Sequence, residues 1–142
     1  MGTLLNREKL LTREDLKIVK VDLDKSEYVF VRQMTGRERD HFEQSLIKEV
    51  KDTKGNVTGY DRALDDFRAK LAVNTMCDEK GNLLLKHTDY SQLSQSMSAA
   101  RLEKIVNKAQ ELNAITEEDK EALVKNSEAV QDGSFNLDSA GN

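Results

Sequence analysis

The sequence predicts a mainly α-helical protein with a small N-terminal β-hairpin, an α+β chain of three to four amphipathic helices ending in a disordered C-terminal tail. Three observations lead there. Beyond residue 36, apolar residues recur at helical spacing in three long stretches. Ahead of them, Ile18–Leu23 and Glu27–Met34 are neighbouring runs of strand-favouring residues. Proline is absent from all 142 residues, so no position forbids a long helix and turns fall to Gly, Asn and Asp.

In chain order, residues 1–15 carry Leu4, Leu5, Leu10 and Leu11 in a polar setting. Val19, Val21 and Leu23 alternate as one face of a first strand, Asp24-Lys25-Ser26 is turn chemistry, and Tyr28-Val29-Phe30-Val31 begins a second. These make an antiparallel hairpin over about residues 17–34. Thr35 stands three residues before Glu38, the capping-box spacing that starts a helix. Phe42, Leu46, Ile47 and Val50 follow, predicting a helix from Arg37 to Lys51. Asp52–Gly59, with two glycines and no period, is a surface loop or a hairpin tip. Tyr60, Ala63, Leu64, Phe67 and Leu71 predict a second helix ending near Asn74 or Met76. Asp78–Leu85 is a turn followed by a short apolar extended segment. A third helix starts near Thr88 or Asp89 and either runs through Leu112 or breaks around Ser96–Ser98. Thr116–Asp119 opens a last short helix. Residues 1–126 thus form one helical domain with its hairpin. Residues 127–142 hold acids but no base and no apolar period, predicting a disordered acidic tail.

Composition narrows the function. Charged residues make up 34% of the chain and the net charge is −4, which argues against a sequence-independent grip on nucleic acid. Cys77 is alone, so no internal disulfide can form and a reducing compartment is expected. No apolar run approaches a membrane span of about 20 residues, and the N-terminus lacks the apolar core of a signal peptide. The chain reads as cytosolic.

No constellation for chemistry stands out, and neither cofactor nor enzyme activity is expected. His41 and His87 are distant in sequence, without Cys or acid pairs at ligand spacing, and read as solvent-facing residues near helix starts. Cys77 reads as a buried structural thiol. Asp61, Asp65 and Asp66 could hold a cation on a helix, but such acids ordinarily face solvent beside residues such as Arg62 and Arg68. Asp52-Thr-Lys-Gly-Asn56 fails as a calcium loop: its glycine comes too early and Lys54 occupies a ligand position. Arg32, Arg37 and Arg39 are too interleaved with Glu38, Asp40 and Glu43 to form a nucleic-acid patch.

The block Val31-Arg-Gln-Met-Thr-Gly-Arg-Glu-Arg-Asp40 followed by a helix resembles the tail assembly chaperones of long-tailed bacteriophages and prophages. Ala72–Leu85, Asp89–Leu93, Ala109–Asn113 and Asp119–Ser127 are similar to later parts of that family, so the resemblance spans roughly residues 15–127. It implies a small, mostly helical protein of the host bacterial cytoplasm that binds the tape measure protein, keeps it soluble and promotes tail-tube polymerisation around it. The finished virion lacks such proteins. In many relatives a programmed frameshift adds a domain that engages the tail-tube protein. A homo-oligomer is compatible with this role, and neither nucleic acid nor membrane is an expected partner. A structural tail or connector component, or a small DNA-binding regulator, are the alternatives.

A chaperone of helices needs an exposed apolar stripe. The expected binding face comprises Phe42, Leu46, Ile47 and Val50 together with Leu93, Met97, Leu102, Ile105, Val106 and Leu112. On that expectation, Asp at Leu102 or Ile105 abolishes partner binding and leaves the fold largely intact.

Overall fold

The structure, a computed structural model, describes residues 2–62, 64–116 and 119. Along the chain run α1 (Arg7–Leu11), β1 (Ile18–Asp22), β2 (Tyr28–Arg32), α2 (Gly36–Gln44), β3 (Ile47–Lys51) and β4 (Val57–Arg62). They are followed by α3 (Phe67–Val73), β5 (Met76–Cys77), a 3₁₀ turn at His87–Asp89, α4 (Tyr90–Ser96) and α5 (Ala99–Leu112). Helical content among the described residues is only 40%, and their strands form two small sheets. The protein is therefore an α+β mix, and the expectation of a mainly α fold is wrong.

The predicted hairpin is present, with Val19 opposite Val31 and Val21 opposite Val29. Its turn closes on Asp24, whose Oδ1 accepts the N–H groups of Ser26 at 2.9 Å and Glu27 at 3.0 Å. These bonds favour the carboxylate and hold its pKa below the usual range. A lone hairpin is marginal in water. Here β5 takes the free edge of β2, pairing Cys77 with Phe30 and Met76 with Val31, so β2 is the central strand of three. Helix α5 packs on α3 and against both β1 and β2. Val31, Leu71, Ile105 and Ala109 are wholly buried where these layers meet. Phe42 and Leu46 join the same core, Phe42 ring to ring with Phe67 at 5.7 Å.

The expected helix from Arg37 to Lys51 stops at Gln44. Ser45 N–H bonds back to the carbonyls of His41 and Phe42, and the chain then turns into β3. Helical spacing of Leu46, Ile47 and Val50 suggested continuation. The local hairpin prevails because Ile47 and Val50 are β-branched and the turn beyond them is strongly specified. There Asp52 Oδ1 accepts from both Lys54 N and Asn56 N at 2.9 Å, and Gly55 takes φ +86°. The loop or hairpin tip expected over Asp52–Gly59 is thus the tip of β3–β4. Tyr60 belongs to β4, so the second helix begins at Phe67, not at Tyr60. The third expected helix is divided: Met97 is extended at φ −96°, ψ 141°, and Ser98 restarts the helix by accepting from Arg101 N at 3.2 Å. The capping pair of the last expected helix exists, with Thr116 N donating to Asp119 Oδ2 (2.9 Å) and Asp119 N to Thr116 Oγ1 (3.1 Å). The remainder of that helix and the expected tail over 127–142 lie outside the described residues.

A third Asp-headed turn follows β5. Asp78 Oδ1 accepts from Lys80 N (2.8 Å) and Asn82 N (3.0 Å), and Gly81 sits at φ +91°. A Cβ on Gly81 would lie 3.2 Å from Ile18 Cδ1, whereas one on Gly55 meets nothing within 4 Å. Both alanine variants incur left-handed backbone strain of about 1 kcal/mol. Gly81→Ala should lower the urea midpoint more than Gly55→Ala does, because only it also crowds the first strand.

Candidate partner-binding surfaces

The block that carries the family resemblance folds as the junction between β2 and α2. Thr35 Oγ1 accepts from Glu38 N at 3.2 Å while Glu38 Oε1 accepts from Thr35 N at 2.8 Å, so the predicted capping box is complete. Glu38 also receives both terminal nitrogens of Arg32, at 2.9 and 2.8 Å. Arg32 is only 4% exposed, and its Nη1 donates further to the Gln33 carbonyl at 2.7 Å. The paired guanidinium, above all through its hydrogen bonds, lowers the Glu38 pKa, and the carboxylate raises that of Arg32. The end of α5 is tied to the same junction: Met34 N donates to Asn113 Oδ1 (2.7 Å), and Arg39 Nη1 to the Asn113 carbonyl (2.9 Å). In this block Arg32, Met34 N, Thr35, Glu38 and Arg39 are thus engaged in joining strand to helix and helix to helix. It is a clasp in the scaffold.

The ten apolar residues expected on the binding face divide into three sets. Phe42, Leu46, Leu102, Ile105 and Val106 are buried in the core and present no surface to a partner. Leu93, Met97 and Leu112 are half-buried against that core. Ile47 and Val50 remain, 46% and 41% exposed, and they stand on β3 instead of a helix. Amphipathic spacing marked the core-facing side of α5, since any helix that packs on a scaffold has one apolar face.

Strand pairing shows what Ile47 and Val50 belong to. β3 and β4 form a two-stranded antiparallel ribbon, separate from the main sheet, in which Ile47 opposes Arg62 and Glu49 opposes Tyr60. Ile47 and Tyr60 are therefore diagonal neighbours on one face, with Val50 on the other. Val57 and Tyr60 are each 45% exposed. The ribbon thus displays four large apolar side chains, and both of its outer strand edges lack a partner among the described residues. Val57 and Tyr60 were missed because the glycines at 55 and 59 obscured the strand. A second apolar display, Leu4, Leu5, Leu10 and Leu11 on and before α1, is 48–97% exposed, and α1 buries none of its residues.

The two histidines, distant in sequence, line one cavity of about 570 Å³ together with Arg37, Lys70, Lys86 and Tyr90. Lys70 Nζ donates to the Ser45 carbonyl at 2.8 Å and lies 5.1 Å from the centre of the Tyr90 ring. By contrast, the three acids considered for a cation do not converge as ligands: Asp61 lies opposite Lys48 on the ribbon, and Asp66 accepts from Ser94 Oγ at 2.6 Å. No group of three His, Cys, Asp or Glu among the described residues could hold a metal ion. Cys77 is buried, and burial raises its thiol pKa.

Fold and surface together define a small α+β protein with a clasped three-stranded sheet and a projecting apolar ribbon. Among the described residues, no helix is long and apolar enough to cross a membrane. Comparison of the chain with known protein families, with curated proteins and with solved structures finds no match.

Proposed function

We propose that this protein is a tail assembly chaperone of the long-tailed-phage type, binding the tape measure protein and keeping it soluble while the tail tube polymerises around it. The ribbon carries this reading. A protein that shields an apolar helical partner needs apolar contact surface that its own core does not require, and Ile47, Val50, Val57 and Tyr60 provide it. The resemblance over residues 15–127 supports the same role and adds its context: action in the host cytoplasm, absence from the finished virion, and contact with the tail-tube protein through a frameshift-extended form. Among the ten residues expected on the binding face, the contact reduces to Ile47 and Val50, joined now by Val57 and Tyr60.

Co-expression with a tape measure protein tests the proposal. The partner stays soluble and co-purifies only when this chain is present. Ile47→Ser with Tyr60→Ser lowers the recovered complex at least about tenfold, since two half-exposed apolar side chains together contribute more than the roughly 1.4 kcal/mol that tenfold represents. Its circular dichroism stays that of the parent protein. No rescue by the parent chain would overturn the chaperone role and favour a structural tail component, which mass spectrometry of purified virions would detect. Rescue undiminished in the double variant would instead remove the ribbon as the contact.

A further inference from the structure

The cavity between α2, α3 and the Leu83–Tyr90 segment has a charge opposite to that of the whole protein. Arg37 and His41 reach it from α2, Lys70 from α3, and Lys86 and His87 from the segment before α4. The one acid among its described lining residues, Glu38, is already committed to Arg32 and to the backbone of Thr35. No hydrogen bond or ion pair to another described residue engages the side chains of Arg37, His41 or His87. Leu83, Leu85 and the ring of Tyr90 supply an apolar floor between these groups, with the neutral polar side chains of Ser45, Asn74 and Thr88 beside it. A basic rim over an apolar floor fits a peptide that carries apolar side chains between carboxylates.

The chain itself contains such a peptide. After Lys125 there is no Lys, Arg or His, and Asp132-Gly-Ser-Phe-Asn-Leu-Asp138 places Phe135 and Leu137 between two acids. The route is short. Asp119 lies within electrostatic reach of Arg39, on the helix that also bears Arg37 and His41. That helix has nine residues, a length of about 14 Å, whereas the stretch from Asp119 to Asp132 spans up to about 45 Å when extended.

We propose that the cavity lined by Arg37, His41, Lys86, His87, Leu83, Leu85 and Tyr90 is a docking site for an acidic peptide with an apolar centre, and that residues 132–138 of this chain occupy it. This does not depend on the chaperone reading. It assigns a reversible intramolecular contact to a surface that shares no lining residue with the ribbon.

A spin label on Ser134→Cys in the full chain tests it, because Cys77 is buried and leaves the new thiol as the reactive one. The protein has only two histidines, so their imidazole proton signals are easily assigned. At low salt both signals should lose more than half their intensity relative to the reduced, diamagnetic label. The loss should disappear in Arg37→Glu with Lys86→Glu and in Asp132→Asn with Asp138→Asn. It should weaken at about 0.5 M salt, where the Debye length falls below about 5 Å. Circular dichroism of each variant controls for folding, and the tail-side pair substitutes nothing in the described fold. An absent effect, or one that survives both charge changes, overturns the proposal. So does broadening found only between labelled and unlabelled molecules in a mixture, which would make a second copy the occupant.

Discussion

Ile105→Asp unfolds the protein. Ile105 is 0% exposed at the centre of α5, within the core that joins α3 to the sheet. Truncation to Ala at such a site already costs about 2–5 kcal/mol. Aspartate adds a carboxylate with no cationic partner in an apolar setting, a further several kcal/mol. Against a total stability of about 5–15 kcal/mol for an ordinary domain, that sum leaves little or no folded population. Loss of the far-UV circular dichroism signal and of a cooperative urea transition is the expected result. Ile47→Asp, on the exposed ribbon, should shift the urea midpoint by no more than about 1 kcal/mol. A native spectrum from Ile105→Asp would mean that α5 is not the core helix described here. The sequence-based expectation that Asp at Leu102 or Ile105 spares the fold is accordingly reversed.

Glu38→Ala should lower stability by about 3 kcal/mol, the lower end of the loss when one member of a buried pair is removed, because the Glu38 side chain keeps 28% exposure. The reason is less the lost attraction than what remains: Arg32, 4% exposed, would keep its charge with only the Gln33 carbonyl to meet it. Thr35 N would lose its acceptor as well. Replacing Arg32 and Glu38 together by Met and Leu should be less harmful than the sum of the two single changes, and a double-mutant cycle in urea measures that coupling. The same pair makes stability depend on acid. The folded pKa of Glu38 is depressed from 4.5, chiefly by its hydrogen bonds with Arg32. Its contribution is therefore complete above the unfolded value and is lost as pH falls from there through the lower folded value. Asp24 and Asp119, also depressed by hydrogen bonds, act with the same sign. Glu38→Gln should flatten the decline of stability below pH 4.5 without removing it, a difference that urea titrations at successive pH values will show.

Local chemistry was the part of the fold most legible from residues alone. The first hairpin follows from the alternation of Val19, Val21 and Leu23 beside an Asx turn, and the start of α2 from Thr35 and Glu38. Each depends on side chains a few positions apart. The second ribbon was illegible because its strand β3 is exposed along its whole length, so no inside–outside alternation betrays it. Leu46, Ile47 and Val50 have helical spacing, and only the turn at Asp52 and Gly55 distinguishes the two conformations. The core positions of α5 were found correctly as apolar and assigned to the wrong neighbour, since periodicity reveals that a face is covered but not by what. The basic cavity was beyond sequence reasoning altogether. Its two histidines reach it from separate elements, and only the fold brings α2 and the Leu83–Tyr90 segment together.

Cys77 gives this architecture a built-in clock. The residue is 1% exposed on the short strand that completes the three-stranded sheet. A thiol reagent can reach it only when β5 peels from β2 or when the whole molecule opens. The labelling rate, divided by that of a free thiol, thus gives the population of the opened state. Set beside global stability from urea, that single number would tell whether the sheet frays at its last strand or holds until everything gives way. The chain provides this measurement with its natural sequence intact.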